Sequence, residues 1–158
     1  MRKAKTVAGA GQAKCLCGAV EIAVTLPAFW AWHDHSRASQ RAHGAACATY
    51  VGCWKSKVRV AKGVKSIADY VEPKTGAVRS FCVRCGTPVF YARARSPRMI
   101  NIPRALFETR TGREPLYHIA LEDAPEWEYR GAALAPLKAY PGVMMERSRK
   151  KKPAPAPF

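Results

Sequence analysis

Two short cysteine pairs decide the fold of this chain: Cys15-Leu16-Cys17-Gly18 near its start and Cys82-Val83-Arg84-Cys85-Gly86 past its middle. Each turn presents two sulfurs to one ion while N–H groups of the turn point back at them, and four thiolates form a zinc ligand set. Disulfides and ordinary buried thiols are the alternatives, but a bridge within Cys-x-Cys is strained. We predict one structural zinc site at Cys15, Cys17, Cys82 and Cys85, which closes residues 18–81 into a loop.

The charge of the chain is concentrated at its ends. The formal net charge is +16 for 158 residues. Residues 1–14 contribute four basic side chains without an acid, and residues 146–158 contribute five basic side chains and one acid. We predict a flexible basic segment over residues 1–13, one zinc-stabilised domain over 14–142 and a basic Pro/Ala/Lys-rich tail over 143–158. Such tails favour weak, non-specific attraction to polyanions.

No stretch of the chain reaches the roughly 18 apolar residues of a membrane span. The basic start of the sequence is not followed by a hydrophobic signal core. We therefore predict no membrane partner and a location in the reducing cytoplasm, where thiols bind metal rather than form disulfides.

Short β-branched and aromatic runs separated by Gly and Pro indicate a mainly β fold. The strand candidates are 19–26, 46–51, 58–60, 67–71, 78–81, 88–91, 99–102 and 115–121. Residues 36–44 predict a short helix that Ser36 caps and Gly44 ends, and Pro103 predicts the first position of a helical turn. Trp127, Tyr129, Leu134 and Leu137 are expected to anchor the core in an irregular C-terminal segment.

The chain resembles the glutathione-dependent formaldehyde-activating enzyme family, which includes the centromere protein V type. The likeness covers about residues 14–141. It is carried by residues 14–20, by Arg79-Ser-Phe-Cys82-Val-Arg-Cys85-Gly-Thr-Pro, by Pro115-Leu-Tyr-His118-Ile and by Trp127. The resemblance implies a β-tent, a complex sandwich of short antiparallel strands stapled by the four-cysteine zinc site, with few short helices. It also implies a second zinc, held by a Cys-His-Cys-x-x-Cys motif, that positions the glutathione thiol for addition to formaldehyde.

This sequence departs from that catalytic motif. An ungapped count from Cys17, with the motif's ending kept on Gly44, places the motif on residues 34–39. Asp34, Ser36 and Ser39 then stand where the family has thiols, and His35 persists. A serine hydroxyl stays protonated near neutral pH and is a poor zinc ligand, so these three residues do not replace three thiolates.

Other polar residues around this motif suggest further ligand sites. A gapped alternative puts His33 and His35 on one face of an extended segment, where they could hold a second metal with His43 or His118. Arg37 and Arg41 could bind the carboxylates of a glutathione-like anion through paired hydrogen bonds.

The two remaining cysteines are expected to be packing residues. Cys47 and Cys53 lie in an apolar run in which alternation directs both to one face, so we interpret them as core or edge residues. If one thiol faces the altered pocket, Cys53 is the better candidate because it follows Gly52 at a predicted strand end.

Three functions follow as hypotheses. The first is a carbon–sulfur lyase-like enzyme acting on glutathione or another small thiol or aldehyde compound, with Asp34 as general base and Ser36 or Ser39 orienting the substrate. The second is a non-catalytic, zinc-stabilised binding module for a small anion or nucleic acid. The third is an acid/base enzyme of new specificity built around His33, Asp34 and His35.

Overall fold

A computed structural model describes residues 9–128 and 134–146 of the chain. These residues form a mainly β fold with one short α-helix, α1, over Arg37–His43. The first six strands are β1 Gly9–Lys14, β2 Glu21–Leu26, β3 Trp30–Asp34, β4 Ala48–Trp54, β5 Val58–Lys62 and β6 Ile67–Val71. The next six are β7 Val78–Cys82, β8 Pro88–Ala92, β9 Met99–Pro103, β10 Tyr117–Ile119, β11 Leu134–Pro136 and β12 Val143–Glu146. Four short 3-10 turns, Lys55–Lys57, Val64–Ser66, Arg104–Leu106 and Leu121–Asp123, complete the described elements.

The strands form two sheets. The smaller sheet has the order β1-β2-β5, and the larger has the order β11-β12-β10-β3-β4-β9-β8-β7-β6. Neighbouring strands pair antiparallel, except that β10 runs parallel to β3, with His118 opposite His33. This parallel pair differs from the antiparallel strands that the resemblance implied, and it brings β10 beside the segment that carries the candidate motif.

The main core lies between the two sheets. Ile22 and Val24 of β2 are buried against Val51 of β4 and Ile102 of β9. A second, aromatic cluster includes the buried side chains of Trp32 and Tyr50. Because successive strand residues point to opposite faces, β3 directs Ala31 into the main core and Trp32 into the aromatic cluster.

Local signals predicted α1 and most strands correctly. The Ser36 hydroxyl accepts the N–H of Ser39 at the start of α1, and Gly44 ends the helix in a left-handed conformation with φ 60°. β2 ends at Leu26, immediately before Pro27. The predicted helical turn is the 3-10 turn Arg104–Leu106, but Pro103 caps it from the last position of β9 rather than opening it.

The predicted boundaries differ from the structure at both ends of the domain. Residues 9–13 are not a flexible segment but belong to β1, whose backbone pairs with β2 over the whole length of Gly9–Lys14. Residues 143–146 form β12, which pairs with both β10 and β11. The rest of the predicted tails, residues 1–8 and 147–158, lies outside the described residues, so polyanion binding through them stays a prediction.

Trp127 is not the core anchor that the sequence predicted. Its side chain is 75% exposed, because residues 124–128 pass over the surface instead of entering the sheet. Leu134 and Leu137 are partly buried, and Tyr129 lies outside the described residues. Among the helices of the described segments, none is long and apolar enough to cross a membrane.

Candidate metal centre and the altered motif

The four cysteines of the two pairs converge on one point. Their sulfur atoms all lie within 4.8 Å of one another. The Cys15 and Cys17 sulfurs are 3.6 Å apart, and those of Cys17 and Cys82 are 3.9 Å apart. A tetrahedral ion with metal–sulfur bonds of about 2.3 Å separates its sulfurs by about 3.8 Å. The spacing therefore fits one metal ion held by four thiolates.

Hydrogen bonds support both turns of the cluster. The N–H of Val20 donates to the Cys15 sulfur at 3.2 Å. The Thr87 hydroxyl lies 3.1 Å from the Cys85 sulfur and accepts the N–H of Leu16 at 3.2 Å, so it links the two turns. The hydrogen bond from this hydroxyl is the main cause that lowers the pKa of Cys85 to about 6. Donors aimed at the Cys15 and Cys85 sulfurs stabilise the thiolate form that a metal requires.

The donor set fits a structural ion. Four thiolates complete a tetrahedral coordination shell and leave no position for substrate, which is the pattern of structural rather than catalytic zinc sites. Cys15 and Cys82 are 2% and 0% exposed, whereas Cys17 is exposed and Cys85 is partly buried, so the site lies at the edge of the interior. The structure thus brings the four predicted cysteines together in a cluster that could hold a metal ion.

The altered motif forms the N-terminal cap of α1. The Asp34 carboxylate accepts the N–H of Ser36 at 3.0 Å, and the Ser36 hydroxyl accepts the N–H of Ser39 at 3.3 Å. The Asp34 and Ser39 side chains are 3% and 0% exposed. Two of the three oxygen-bearing side chains are therefore occupied with satisfying backbone donors at a helix start. We name Asp34, Ser36 and Ser39 the cap segment.

A polar network lies in contact with the aromatic cluster on the same side of the sheet as Asp34. The Tyr50 hydroxyl is 2.9 Å from Nε2 of His43 and accepts a hydrogen bond from Arg79 at 3.1 Å. Nε of Arg79 also donates to Glu72 at 2.5 Å. A pocket of about 210 Å³ adjoins this network, and His43, Tyr50 and Arg79 line it together with apolar Phe81 and Phe90. Sequence reasoning missed this network because its members come from four separated elements.

Three histidines stack together, His33 from β3, His35 from the segment after it and His118 from β10. The ring of His118 stacks on His33 with 4.6 Å between centroids, and its Nδ1 lies 2.9 Å from Nε2 of His35. Nδ1 of His33 is 2.9 Å from the hydroxyl of Thr49 on β4. Of the two third ligands considered for the second metal, His118 joins His33 and His35, whereas His43 contacts Tyr50 instead.

Glu128 and Cys47 complete this cluster. Oε1 of Glu128 lies 3.0 Å from Nδ1 of His35, and the Glu128 and His35 side chains are 7% and 1% exposed. One donor atom from each of His35, Cys47 and Glu128 falls within a 4.8 Å group. Burial, together with the Glu128 carboxylate, raises the pKa of Cys47 to about 11. Neither Glu128 nor Cys47 was predicted as a ligand, since nothing in the sequence around Glu128 indicates that it contacts His35.

The two remaining cysteines occupy different environments, contrary to the prediction that they share a face. β4 begins at Ala48, so strand alternation does not extend to Cys47. Cys53 is 2% exposed and packs in the main core. The thiol that faces the polar cluster is therefore Cys47 and not Cys53.

Arg37 and Arg41 lie on α1 with exposed side chains. The backbone N–H of Arg37 donates to the Asp123 carboxylate at 3.1 Å, which fixes the helix start against the turn that follows β10. Binding of an anion by the two guanidinium groups stays a prediction.

Comparisons with known proteins agree with this architecture. A family model described as glutathione-dependent formaldehyde-activating enzyme matches residues 10–123. The crystal structure of a Rhodobacter sphaeroides protein is similar, with 27% sequence identity and a TM-score of 0.54. The match covers 63% of this chain and 89% of that one.

Proposed function

Because the chain belongs to the glutathione-dependent formaldehyde-activating enzyme family, we propose that it binds glutathione or a similar small thiol or aldehyde compound but does not catalyse the parent addition of thiol to formaldehyde. The four-cysteine centre carries a structural zinc ion in this proposal. The observation that supports the proposal is the cap segment, whose oxygen-bearing residues fall, by the ungapped count, on the positions where the resemblance implies three zinc-binding thiolates.

The cap segment does not supply the chemistry of the parent reaction. A catalytic zinc lowers the pKa of a bound thiol and needs strong donors that leave one position open. In this chain the Asp34 carboxylate and the Ser36 hydroxyl each accept a backbone N–H, and both serine hydroxyls are weak zinc donors. The residues at these positions stabilise α1 instead of holding a thiolate-bound metal.

Features beside the cap segment support retention of a small anionic ligand. α1 presents the exposed cations of Arg37 and Arg41, and Arg79 lines the pocket that His43 of the same helix borders. Glutathione carries two carboxylates, which guanidinium groups bind through paired hydrogen bonds. The pocket walls also include aromatic rings against which an aliphatic thiol can pack.

Catalysis is tested by exchange NMR of a glutathione and formaldehyde mixture. We expect the wild-type protein to leave the exchange rate at its buffer value. The variant Asp34→Cys/Ser36→Cys/Ser39→Cys should gain one zinc ion per chain and accelerate exchange. Acceleration by the wild-type protein that Ser39→Ala abolishes would contradict the proposed loss of the parent reaction.

Binding is tested separately by isothermal titration with glutathione at low salt. Arg41→Ala should weaken binding roughly 10–100-fold, because a charge-assisted hydrogen bond contributes about 1.5–3 kcal/mol. Arg59→Ala is the matched control, since Arg59 is equally exposed but lies on β5 of the small sheet. Absence of heat at millimolar glutathione would exclude this ligand class.

A further inference from the structure

We infer that His35, Cys47 and Glu128 form a second metal site, suited to zinc, that uses none of the three altered motif positions as a ligand. The site goes beyond the proposed function and does not depend on glutathione binding. It differs from the site predicted from the sequence, which paired His35 with His33. The inference rests on donor chemistry, on the hydrogen bonds of His35 and on the charge of the buried groups.

The three donor atoms suit one borderline-soft ion. An imidazole nitrogen, a thiolate and a carboxylate oxygen are the three ligand types that zinc takes in proteins. Here they come from the segment after β3, the segment before β4 and the turn after Leu121–Asp123, and they lie within 4.8 Å of one another. Cys47 is only partly buried, so a fourth ligand such as water or substrate has access. Three protein donors with an accessible fourth position are the pattern of a reactive metal site.

The hydrogen bonds of His35 direct one nitrogen to the metal position. Nε2 of His35 lies 2.9 Å from Nδ1 of His118, and Nδ1 of His35 faces Glu128. If Nε2–H donates to His118, the lone pair of Nδ1 points at the group formed with Cys47 and Glu128. In metal-binding histidines, a polar partner on the ring nitrogen that does not bind the metal fixes the tautomer and the ring orientation.

The backbone of His35 is held in place independently of any metal. Its N–H donates to the carbonyl oxygen of Ile119 at 3.1 Å, and its own carbonyl accepts from the Gln40 side chain at 2.5 Å. The same Gln40 amide also donates to the Asp123 carbonyl at 2.8 Å. This frame joins the segment after β3 to β10, to α1 and to the turn Leu121–Asp123, so His35 is preorganised as a ligand.

Charge favours a divalent cation at this point. The Glu128 side chain is 7% exposed and adjoins the Cys47 thiol, so its carboxylate lies in a poorly hydrated space. Buried charge is costly unless it is paired or bound to metal. A divalent ion with one thiolate, one carboxylate and a neutral imidazole gives a site of zero net charge. Without metal, a hydrogen-bonded row Glu128–His35–His118 would remain.

The number of zinc ions bound per chain, measured in ligand variants and in a control variant, tests the site. Purified protein is equilibrated with zinc at a buffered micromolar free concentration, and zinc per chain is measured. We expect two ions in the wild-type protein and in Cys53→Ala, whose thiol lies in the main core. Cys47→Ala and the isosteric variant Glu128→Gln should each hold one ion.

Cobalt provides a readout that a purely structural role would not change. The wild-type protein with two cobalt ions should show more thiolate-to-cobalt charge-transfer absorption than Cys47→Ala, by the contribution of one thiolate. His118→Phe keeps a ring stacked on His33 but removes the acceptor, and it should weaken the second ion by roughly 10–100-fold. A wild-type count of one, or a count of two that survives in either Cys47→Ala or Glu128→Gln, overturns the inference.

Discussion

The sulfur of Cys17 lies 3.9 Å from the sulfur of Cys82, although the two residues are 65 positions apart. Cys17 follows β1 and Cys82 ends β7, so this contact joins the small sheet to the outer half of the large one. A metal at this point closes a long loop whose ends no other covalent or ionic link holds within the described residues. An ion bound at this point would therefore contribute to the stability of both sheets.

Replacing Cys82 by serine should unfold the protein. Structural zinc contributes on the order of 10 kcal/mol to folding, which is comparable with the whole stability of a domain. We expect the far-UV circular dichroism of Cys82→Ser to lose its strand signal at 25 °C, as should the wild-type protein with excess chelator. Cys53→Ala is the control, because it truncates a core thiol outside the centre and should cost about 1 kcal/mol. A folded, metal-free Cys82→Ser would show that the sheets hold together without the centre.

Gly63 should be far less tolerant of a side chain than Gly44. Both have positive φ, 77° and 60°, so each alanine variant bears a left-handed strain of about 1–2 kcal/mol. A Cβ at Gly63 would also lie 1.9 Å from the carbonyl oxygen of Ala19, whereas the space at Gly44 is open. We expect urea unfolding to show an additional loss of about 1–3 kcal/mol or more for Gly63→Ala. Equal losses in the two variants would mean that the backbone beside the first cysteine turn shifts freely.

The sequence predicted those parts of the structure that depend on local signals. The cysteine turns, the Ser36 cap and the Gly44 end of α1 each follow from a few adjacent residues and their side-chain chemistry. Pro27 ended β2 because it cannot donate to a strand ladder. The family resemblance added the β-tent architecture and drew attention to the altered motif.

The rest depended on contacts between distant segments. The parallel pairing of β10 with β3 has no local signal, yet it brings His118 to His33 and His35. Glu128 reaches His35 from an irregular segment, and its exposed neighbour Trp127 was mistaken for the core anchor. Cys47 was grouped with Cys53 because the strand was predicted to begin two residues too early.

Loss of the Ser36 hydroxyl should destabilise α1 measurably. This hydroxyl accepts the N–H of Ser39, so Ser36→Ala leaves a helix donor without its capping partner and should cost about 1 kcal/mol. Ser36→Thr keeps the acceptor and serves as the control, with a cost of only a few tenths of a kcal/mol. The difference is measured by urea unfolding of the zinc-loaded proteins. If the alanine and threonine variants are equally stable, the cap segment is not what starts the helix.

Protonation of His43 should lower the free energy of unfolding as pH falls through the range just below neutrality. Burial, reinforced by the positive charge of Arg79, lowers the pKa of His43 from its usual value of 6.5. The Tyr50 hydroxyl accepts from Arg79, and its proton is available for donation to an unprotonated Nε2 of His43. Protonation replaces that acceptor by a second donor facing Tyr50.

The sign of this pH dependence follows from the depressed pKa. The unfolded chain takes up a proton on His43 near pH 6.5, while the folded protein resists until lower pH, so the free energy of unfolding falls as pH decreases below about 6.5. His43→Gln retains an acceptor for Tyr50 but cannot titrate, and its stability should fall less between about pH 7.5 and about pH 6. Keeping to this window limits metal loss from the thiolates, which becomes severe at lower pH. Parallel curves for the two proteins would show that His43 does not contribute to the acid sensitivity.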